Sequence, residues 1–349
     1  MNILFICSAK KWGGNEKWTS MAMQGLALNH KVFFLGKNPE LLLKFGPVTD
    51  SYSAPFKWNF DLKTKSIIAK IVKDNKIDLI VSTKKKEYFL AGLVARKFGI
   101  KHFLRLGIVR DMKIPYWSKL LYYRLNDGIV VNAQQIKTNL LKYSYFKDHP
   151  IEVVYNGVPD ANIPQAELCQ DGRFIIVSTG MLTQRKGFHL LIEAISNLPS
   201  DIKQQVKLHV VGEGREEFKL KKMVKDLNLQ DIVFFEGFSH QSTSFLKQAQ
   251  LFALISENEG ISNAVIEAMY AGVPVLTTSA GGVLEFLEDE ENAFLTTRNV
   301  PELAVRLEYI IRKNRNDLFA LGAKGQVIAR SMFNMDKMNN QLASFLLKK

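Results

Sequence analysis

Short apolar runs alternate with amphipathic segments along most of the chain. Runs such as Ile3–Cys7 and Asp78–Ser82 are almost uninterrupted in their apolar character, which is typical of strands buried on both faces of a parallel sheet. Between them, segments such as Glu16–Leu28 and Lys65–Asn75 place apolar residues at helical spacing. Strands that alternate with helices predict an α/β fold with a doubly wound parallel sheet.

This alternation continues through both halves of the chain. The remaining predicted strands are Lys31–Leu35, His102–Leu106, Gly128–Asn132, Val153–Tyr155, Phe174–Ser178, Val206–Val211, Ile232–Phe235, Leu251–Ile255 and Val275–Thr277. The remaining predicted helices are Glu87–Phe98, Trp117–Leu125, Gln134–Lys142, His189–Ser196, Glu216–Asn228, Asn263–Ala271, Leu284–Phe286, Pro301–Lys313 and Met335–Leu347.

The pattern is interrupted at residues 157–172, where two glycines and two prolines occur with little apolar periodicity. Such a segment predicts a linker. Because strands and helices alternate on both sides of it, we predict two Rossmann-like domains that face each other across a cleft. Residues 1–157 form the first domain, residues 158–332 form the second, and the last helix, 333–349, packs back on the first. Ligands of such sheets bind beyond the carboxyl ends of the strands.

The positive charge is concentrated in the first half of the chain. Residues 1–160 carry 26 Lys and Arg against 12 Asp and Glu, whereas residues 161–349 carry 21 against 22. A basic half predicts an anionic partner such as a phospholipid surface, a phosphorylated lipid or a nucleic acid. General solubility is the alternative explanation.

The composition and the absence of common motifs exclude several classes of protein. Cys7 and Cys169 are the only cysteines, so no disulfide framework or cysteine metal cluster is predicted, and a reducing cytoplasm fits. No apolar window is long enough for a transmembrane helix. The first strand is not followed by Gly-x-Gly-x-x-Gly, and no Walker A motif occurs, which argues against dehydrogenases and P-loop enzymes.

The most informative segment is ENEGISNAVIEAMYAGVPVL, residues 257–276, in which Glu259 and Glu267 stand eight positions apart. Ser262–Asn263 is expected to cap the helix that ends at Ala271, and free N–H groups at a helix start favour a phosphate. Glu267, one turn into the helix, can accept hydrogen bonds from the vicinal hydroxyls of a ribose. Glu259 can meet the hydroxyls of a transferred sugar. A capped core helix is the alternative.

This segment resembles the signature EG-x-SN-x-x-x-EAM-x-AG-x-PV of retaining glycosyltransferases with the GT-B fold, of the family 4 or group 1 type. The resemblance implies that Glu259 faces the donor sugar and its phosphate and that Glu267 binds the ribose. In STGMLTQRKGF, Lys186 matches the phosphate-binding lysine of the family. The family arginine is replaced by Met181, and Arg185 is the candidate substitute. The predicted catalytic residues are therefore Glu259, Lys186 and Arg185.

Shorter matches extend the resemblance over most of the chain. WGGNEKW resembles the first loop of the family, in which two glycines let the backbone approach the donor phosphates. A histidine that the family often carries after a later strand is absent from FLRLGIVRD, where Arg105 is the candidate on the acceptor side. The predicted donor-binding residues are Gly13, Gly14, Gly180, Gly212, Phe238, Gly260, Ile261, Ser262, Asn263 and Glu267.

The resemblance implies retaining transfer of a sugar from a UDP- or GDP-sugar to a hydroxyl of a saccharide or lipid-linked acceptor. The first domain would take the acceptor, the second would bind the donor, and no metal or other cofactor would be needed. By family habit, the reaction would belong to bacterial lipopolysaccharide, capsule or exopolysaccharide assembly, in the cytoplasm or at the inner face of the membrane. The basic, aromatic helix at residues 117–124 favours peripheral contact with an anionic membrane over core packing only if it lies at the surface.

Three alternatives stay open. A sugar-nucleotide 2-epimerase shares the fold but would need more acid–base groups in the cleft. A basic nucleic-acid-binding protein would explain the charge, although no DNA- or RNA-binding motif occurs and we expect no nucleic-acid partner. A partner subunit without catalytic activity would retain the fold without turnover.

Overall fold

The computed structural model describes residues 1–10, 12–38, 45, 48–109, 115–159, 163–167, 172–239, 241–257 and 259–348. Cys169 and two parts of the predicted linker, 160–162 and 168–171, lie outside this set. The chain divides into two compact units. The N-terminal unit comprises Met1–Gly157 with Met335–Lys349, and the C-terminal unit comprises Val158–Asn334.

The described part of the N-terminal unit contains a parallel sheet of seven strands in the order β3-β2-β1-β4-β5-β6-β7. These strands are β1 (Asn2–Cys7), β2 (Lys31–Gly36), β3 (Asp50–Ser53), β4 (Leu79–Ser82), β5 (Lys101–Leu106), β6 (Gly128–Val131) and β7 (Ile151–Val153). The helices around it are Gly14–Ala27, Leu62–Asp74, Lys85–Phe98, Pro115–Lys119, Gln134–Leu141 and Met335–Leu346, with a π-helical turn at Leu120–Arg124 and a 3-10 turn at Ser144–Phe146.

Alternation along β1 explains why this sheet is covered on both faces. Ile3 and Phe5 belong to a core that also includes residues of the helices Gly14–Ala27 and Met335–Leu346. Leu4 belongs to a second core on the opposite face. Successive side chains of a strand point to opposite faces, so an uninterrupted apolar run requires a cover on each.

The C-terminal unit repeats this architecture with six described parallel strands in the order β10-β9-β8-β11-β12-β13. The strands are β8 (Phe174–Thr179), β9 (Val206–Val211), β10 (Val233–Gly237), β11 (Leu251–Leu254), β12 (Val275–Thr278) and β13 (Phe294–Thr296). The helices are Phe188–Ser196, Ser200–Lys203, Glu217–Asp226, Asn263–Tyr270, Val300–Arg312 and Arg315–Met332, with 3-10 turns at Gln184–Lys186, Ser242–Gln248 and Gly281–Glu285.

The prediction of doubly wound parallel sheets is confirmed, with local corrections. The strand predicted at Val153–Tyr155 lies at Ile151–Val153, where it pairs with Ile129–Val131. Part of the predicted linker is hydrogen-bonded to the C-terminal unit, because the N–H of Ala166 donates to Ala271 O at 2.7 Å. No helix within the described ranges is long and apolar enough to cross a membrane.

Two strands and one long helix are among the elements that were not predicted from the sequence: β3, β13 and the helix Arg315–Met332. The first is polar and the second is three residues long, so neither has a clear period-2 pattern. The helix contains Gly322 and Gly325, which lower its intrinsic propensity. A Cβ on Gly322 would lie 2.1 Å from Gly272 O, so this helix can pack closely only with glycine at that position. The same glycine lowers the helix propensity and made the helix hard to predict from the sequence.

Candidate active site

The candidate site lies at the carboxyl ends of β8 and β11, which are neighbours in the sheet of the C-terminal unit. β9 pairs with one edge of β8 and β11 pairs with the other edge. The strand order of the sheet therefore reverses between β8 and β11. Ligands of doubly wound sheets bind at this switch point. The loop after β8 contains Arg185 and Lys186, and the loop after β11 contains Glu259.

These two loops bring the three predicted catalytic residues together. Lys186 Nζ lies 2.7 Å from Glu259 Oε1, and Arg185 Nη1 lies 2.9 Å from the same oxygen. Ser256 Oγ also donates to Glu259 Oε1, at 3.3 Å. The side chains of Lys186 and Glu259 are 13% and 14% exposed, whereas that of Arg185 is 43% exposed. Lys186 is therefore the enclosed cation of the cluster and Arg185 the accessible one.

The cluster keeps Glu259 ionised. Burial alone would raise the pKa of Glu259, but the charges of Lys186 and Arg185 and their hydrogen bonds outweigh it and hold the pKa below its usual value. Two cations around one carboxylate leave a net positive charge. Such a charge, in a partly desolvated position, favours a dianionic ligand such as a diphosphate.

Glycines allow the loops of the site to approach one another backbone to backbone. Gly187 has φ +72°, and a Cβ there would lie 2.0 Å from Ile255 O. Gly281 has φ +80°, and a Cβ there would lie 1.9 Å from Glu259 O. Only glycine combines this φ with such an approach. Each glycine thus fixes the backbone of one loop against the loop that carries Glu259.

Arg298, which the sequence analysis missed, links the same loops. Its Nη1 donates to Ile255 O at 2.6 Å and to Arg185 O at 3.2 Å, and the N–H of Glu257 also donates to Arg185 O, at 2.8 Å. Arg298 follows β13 at the carboxyl edge of the sheet. β13 is only three residues long and has no clear strand pattern, so no signal in the sequence would have placed Arg298 there.

Replacing Arg298 by Met is expected to lower kcat for donor turnover by roughly tenfold, because two carbonyls that hold the Arg185 turn lose a charged donor worth about 1.5–3 kcal/mol. Steady-state kinetics and a melting curve of the variant measure this effect. Arg306→Met is the matched control, since Arg306 pairs with Asp289 and Glu290. An equal loss of kcat in both variants would contradict a positioning role for Arg298.

The helix Asn263–Tyr270 begins directly after the Glu259 loop. Ser262 holds the N-cap position, but its side chain makes no capping hydrogen bond, so the prediction of a side-chain cap is wrong. The loop instead stays in place through its backbone, with the N–H of Gly282 donating to Gly260 O at 2.6 Å. Glu267 lies within this helix and is 7% exposed.

The other predicted donor-binding residues of this unit lie around the same edge of the sheet. Gly180 follows β8 and packs against the stem of Lys186, whose Cε would be 3.6 Å from a Cβ there. Gly212 follows β9 and approaches Gly180, since a Cβ on Gly212 would be 2.0 Å from Gly180 O. Ile261 is 3% exposed, whereas Phe238 and Met181 are 43% and 42% exposed.

In the N-terminal unit, Arg105 of β5 lies beside the loop that joins β1 to the helix Gly14–Ala27. Its Nη1 donates to Asn15 Oδ1 at 2.7 Å, and its guanidinium lies 4.8 Å from the ring centroid of Trp18. Arg105 is 5% exposed, so it is built into this unit rather than displayed on its surface. The helix that carries Asn15 begins at Gly14, with Gly13 at the N-cap position.

A buried set of charges lies beside this loop and was also missed. Glu16 of the WGGNEKW segment is 3% exposed and pairs with Lys84 at 2.6 Å. Glu87 accepts backbone hydrogen bonds from Ser8, Thr83 and Lys84 at 2.7–2.9 Å, and burial raises its pKa to about 7. These residues follow β1 and β4, which flank the switch point of the first sheet.

Residues 160–325 match the model of the family "glycosyl transferases group 1". The lipopolysaccharide core biosynthesis glycosyltransferase LpsE of Rhizobium meliloti is 28% identical over 204 residues, which is 57% of this chain and 58% of LpsE. An N-acetylgalactosaminyltransferase of Campylobacter jejuni, named for a diphospho-undecaprenol-linked saccharide, is 28% identical over 218 residues, which is 58% of each chain. The alignments therefore cover less than two thirds of these relatives.

Among solved structures, Anabaena HepE in complex with UDP superposes with a TM-score of 0.85, at 22% identity and with 99% of both chains covered. HepE has also been solved with UDP-glucose. At this level of identity the likeness shows the fold, which is that of the GT-B glycosyltransferases.

Proposed function

We propose that this protein transfers a sugar from a nucleoside-diphosphate sugar to an acceptor hydroxyl with retention of configuration, because residues 160–325 match the model of the glycosyl transferases group 1 family. The acceptor is a saccharide or a lipid-linked saccharide in the assembly of a bacterial surface polysaccharide. The relatives named above act as transferases, which favours transfer over epimerisation.

The observation that carries the proposal is the contact of Lys186 and Arg185 with Glu259 at the switch point. Negative charge develops on the leaving diphosphate as its bond to the sugar breaks. Lys186 and Arg185 supply positive charge there without a metal ion. Glu259, ionised and held by both cations, provides a carboxylate for the hydroxyls of the transferred sugar.

The remaining donor contacts follow from the helix Asn263–Tyr270. Its first N–H groups receive no side-chain cap from Ser262 and suit a phosphate oxygen. Glu267 is placed one turn into that helix, where a carboxylate can accept hydrogen bonds from both hydroxyls of a ribose. Phe238 is the exposed aromatic residue at the edge where the base would lie. UDP is the nucleotide to test first, because HepE binds it.

Calorimetric titration with UDP, GDP, ADP and CMP tests this proposal. We expect one nucleoside diphosphate to bind, and Glu267→Ala to raise its Kd by about ten- to a hundredfold, because hydrogen bonds to a charged group contribute about 1.5–3 kcal/mol. The 2′-deoxy nucleotide should bind the native protein more weakly but lose little further in the variant. Equal losses for ribo- and deoxyribonucleotide would assign Glu267 a structural role.

Binding alone does not separate an enzyme from a partner subunit that has lost its activity. Release of the nucleoside diphosphate from the matching sugar nucleotide, with and without saccharide acceptors, makes this distinction. A protein that binds the nucleotide but never turns over the donor would overturn the proposal of catalysis. An anomer of opposite configuration in the product would overturn retention.

A further inference from the structure

The contacts of the Glu259 carboxylate all lie on one of its two oxygens. Lys186 Nζ, Arg185 Nη1 and Ser256 Oγ lie 2.7, 2.9 and 3.3 Å from Oε1. None of these three contacts uses Oε2. The carboxylate must therefore share its two cations with any anion that approaches them, and it keeps a second oxygen for a further hydrogen bond.

A diphosphate that binds Lys186 and Arg185 competes with Glu259 for them. The side chains of Lys186 and Glu259 are only 13% and 14% exposed, so solvent screens little of the repulsion between the carboxylate and an entering anion. This repulsion is strongest for a free nucleoside diphosphate, whose terminal phosphate carries a second negative charge at neutral pH. Glu259 thus weakens the binding of every ligand whose phosphates need the two cations.

The backbone around Glu259 holds the carboxylate in this position. Gly281 packs so closely that a Cβ on it would lie 1.9 Å from Glu259 O. Thr278 Oγ1 donates to Ser256 O at 2.6 Å, three residues before Glu259 in the same loop. The loop is therefore fixed from two sides, and the competition for the cations persists when a ligand enters.

A sugar attached to the diphosphate changes this balance through the second carboxylate oxygen. Sugar hydroxyl groups donate hydrogen bonds, and such bonds to an ionised carboxylate are about twice as strong as those between neutral groups. They replace the contacts that Glu259 loses to the phosphates. A nucleoside diphosphate brings no such hydroxyl, and its ribose does not alter the comparison because the sugar nucleotide carries the same ribose.

We infer that Glu259 makes the site selective for the sugar nucleotide over the nucleoside diphosphate that remains after transfer, an inference that rests on the transfer proposed above. Glu259 competes with both ligands for Lys186 and Arg185, and only the sugar nucleotide compensates with hydroxyl groups. Arg185 is the more exposed cation, so its contact with Glu259 is the one that a ligand breaks. The product then leaves more readily than it would leave two unopposed cations.

An ion pair that only joined the two loops would behave differently. Removal of a purely structural carboxylate would disorder Lys186 and Arg185 and would weaken the binding of diphosphates with and without a sugar. Removal of a competing carboxylate instead strengthens the binding of ligands that lack a sugar. The sign of the change in affinity therefore separates the two roles.

Calorimetric titration of the full chain with three ligands tests this role. The ligands are inorganic pyrophosphate, the nucleoside diphosphate that binds the native protein, and the tightest-binding of its common sugar nucleotides. Glu259→Gln keeps the size of the side chain and removes its charge. We expect it to lower the Kd of pyrophosphate and of the nucleoside diphosphate by about five- to tenfold, and to raise the Kd of the sugar nucleotide by about tenfold.

Two further variants show whether the effect belongs to this cluster. Glu167→Gln is the matched control, because it removes a carboxylate from an exposed pair with Lys247 in the same unit and should change none of the three Kd values. In an Arg185→Met background, Glu259→Gln should lower the Kd of pyrophosphate by less than about threefold, since one of the disputed cations is gone. Melting curves establish that each variant is folded.

The outcomes separate this role from the transfer on which it rests. A native protein that binds none of the nucleotides would overturn both. A native protein that binds nucleotide, but whose affinities for pyrophosphate and nucleoside diphosphate stay unchanged or fall in Glu259→Gln, would overturn the selective role alone. Tighter binding of the nucleoside diphosphate than of the sugar nucleotide by the native protein would do the same, and this measurement needs no variant.

Discussion

Replacement of Lys186 by Met is expected to reduce donor turnover by about a hundred- to a thousandfold, the magnitude typical for loss of one preorganised electrostatic group. Met retains most of the apolar stem that packs against Gly180 and removes only the charge. Steady-state kinetics with the donor identified by calorimetry measure the effect. The fall should appear mainly in kcat, since the charge matters most as the diphosphate leaves.

Arg185→Met is the informative comparison because it removes the second cation of the same cluster. The side chain of Arg185 is 43% exposed against 13% for Lys186, so solvent screens its charge more and its loss should cost less turnover. Lys247→Met is the matched control, since it breaks an exposed lysine–carboxylate pair with Glu167 elsewhere in the C-terminal unit.

Stability measurements distinguish a catalytic Lys186 from a structural one. Loss of Lys186 leaves Glu259 partly buried with one cation fewer, so a modest fall in melting temperature is expected beside the kinetic effect. The double variant Lys186→Met with Glu259→Gln should recover stability without recovering turnover. Normal kcat in Lys186→Met, together with a large drop in melting temperature, would show that the ion pair serves the fold alone.

The pH dependence of stability follows from the same cluster. Because the pKa of Glu259 is lowered in the folded protein, its contribution is present above the ordinary carboxyl pKa and is lost as the pH falls through the lowered value. The free energy of unfolding should therefore fall less steeply with decreasing pH in Glu259→Gln than in the native protein.

Periodicity predicted the two sheets because their central strands are apolar on both faces. The runs of β1 and β4 are short and almost continuously apolar, which favours strands over helices. The motif around Glu259 was recognisable because it resembles a family signature. Polar or very short strands such as β3 and β13 carry no comparable signal. Arg298 was missed for the same reason, since its position depends on β13.

The contacts of the site could not be predicted from the sequence. Lys186 and Glu259 are more than seventy positions apart in the sequence. Nothing in the intervening residues indicates that one oxygen of Glu259 contacts both Lys186 and Arg185. The basic helix at residues 117–124 illustrates the opposite limit. Leu121 and Tyr122 are 1% and 3% exposed, so these two pack in the core, while the ring of Trp117 lies 5.2 Å from that of Phe89 between centroids. A local pattern alone cannot separate these faces.

Gly281→Ala is expected to destabilise the C-terminal unit by about 3 kcal/mol and to abolish most donor turnover. A left-handed backbone costs alanine about 1 kcal/mol. The larger part comes from contact, because the new Cβ would lie 1.9 Å from Glu259 O and 3.1 Å from Gly260 O. One of the two loops must shift, and we expect the shift to displace Glu259 from its position between Lys186 and Arg185.

The variant Gly237→Ala separates the cost of the left-handed backbone from the cost of the steric clash. Gly237 has φ +67°, but no atom lies within 4 Å of a Cβ built on it, so this variant should lose only about 1 kcal/mol. Thermal unfolding should place the two variants several degrees apart, since 1 kcal/mol corresponds to about 2–4 °C for a domain of this size. Equal melting temperatures for Gly281→Ala and Gly237→Ala would mean that a Cβ at position 281 does not clash with Glu259 O. Because a displaced Glu259 can no longer hold Lys186, adding Lys186→Met to Gly281→Ala should cost much less turnover than it does in the native protein.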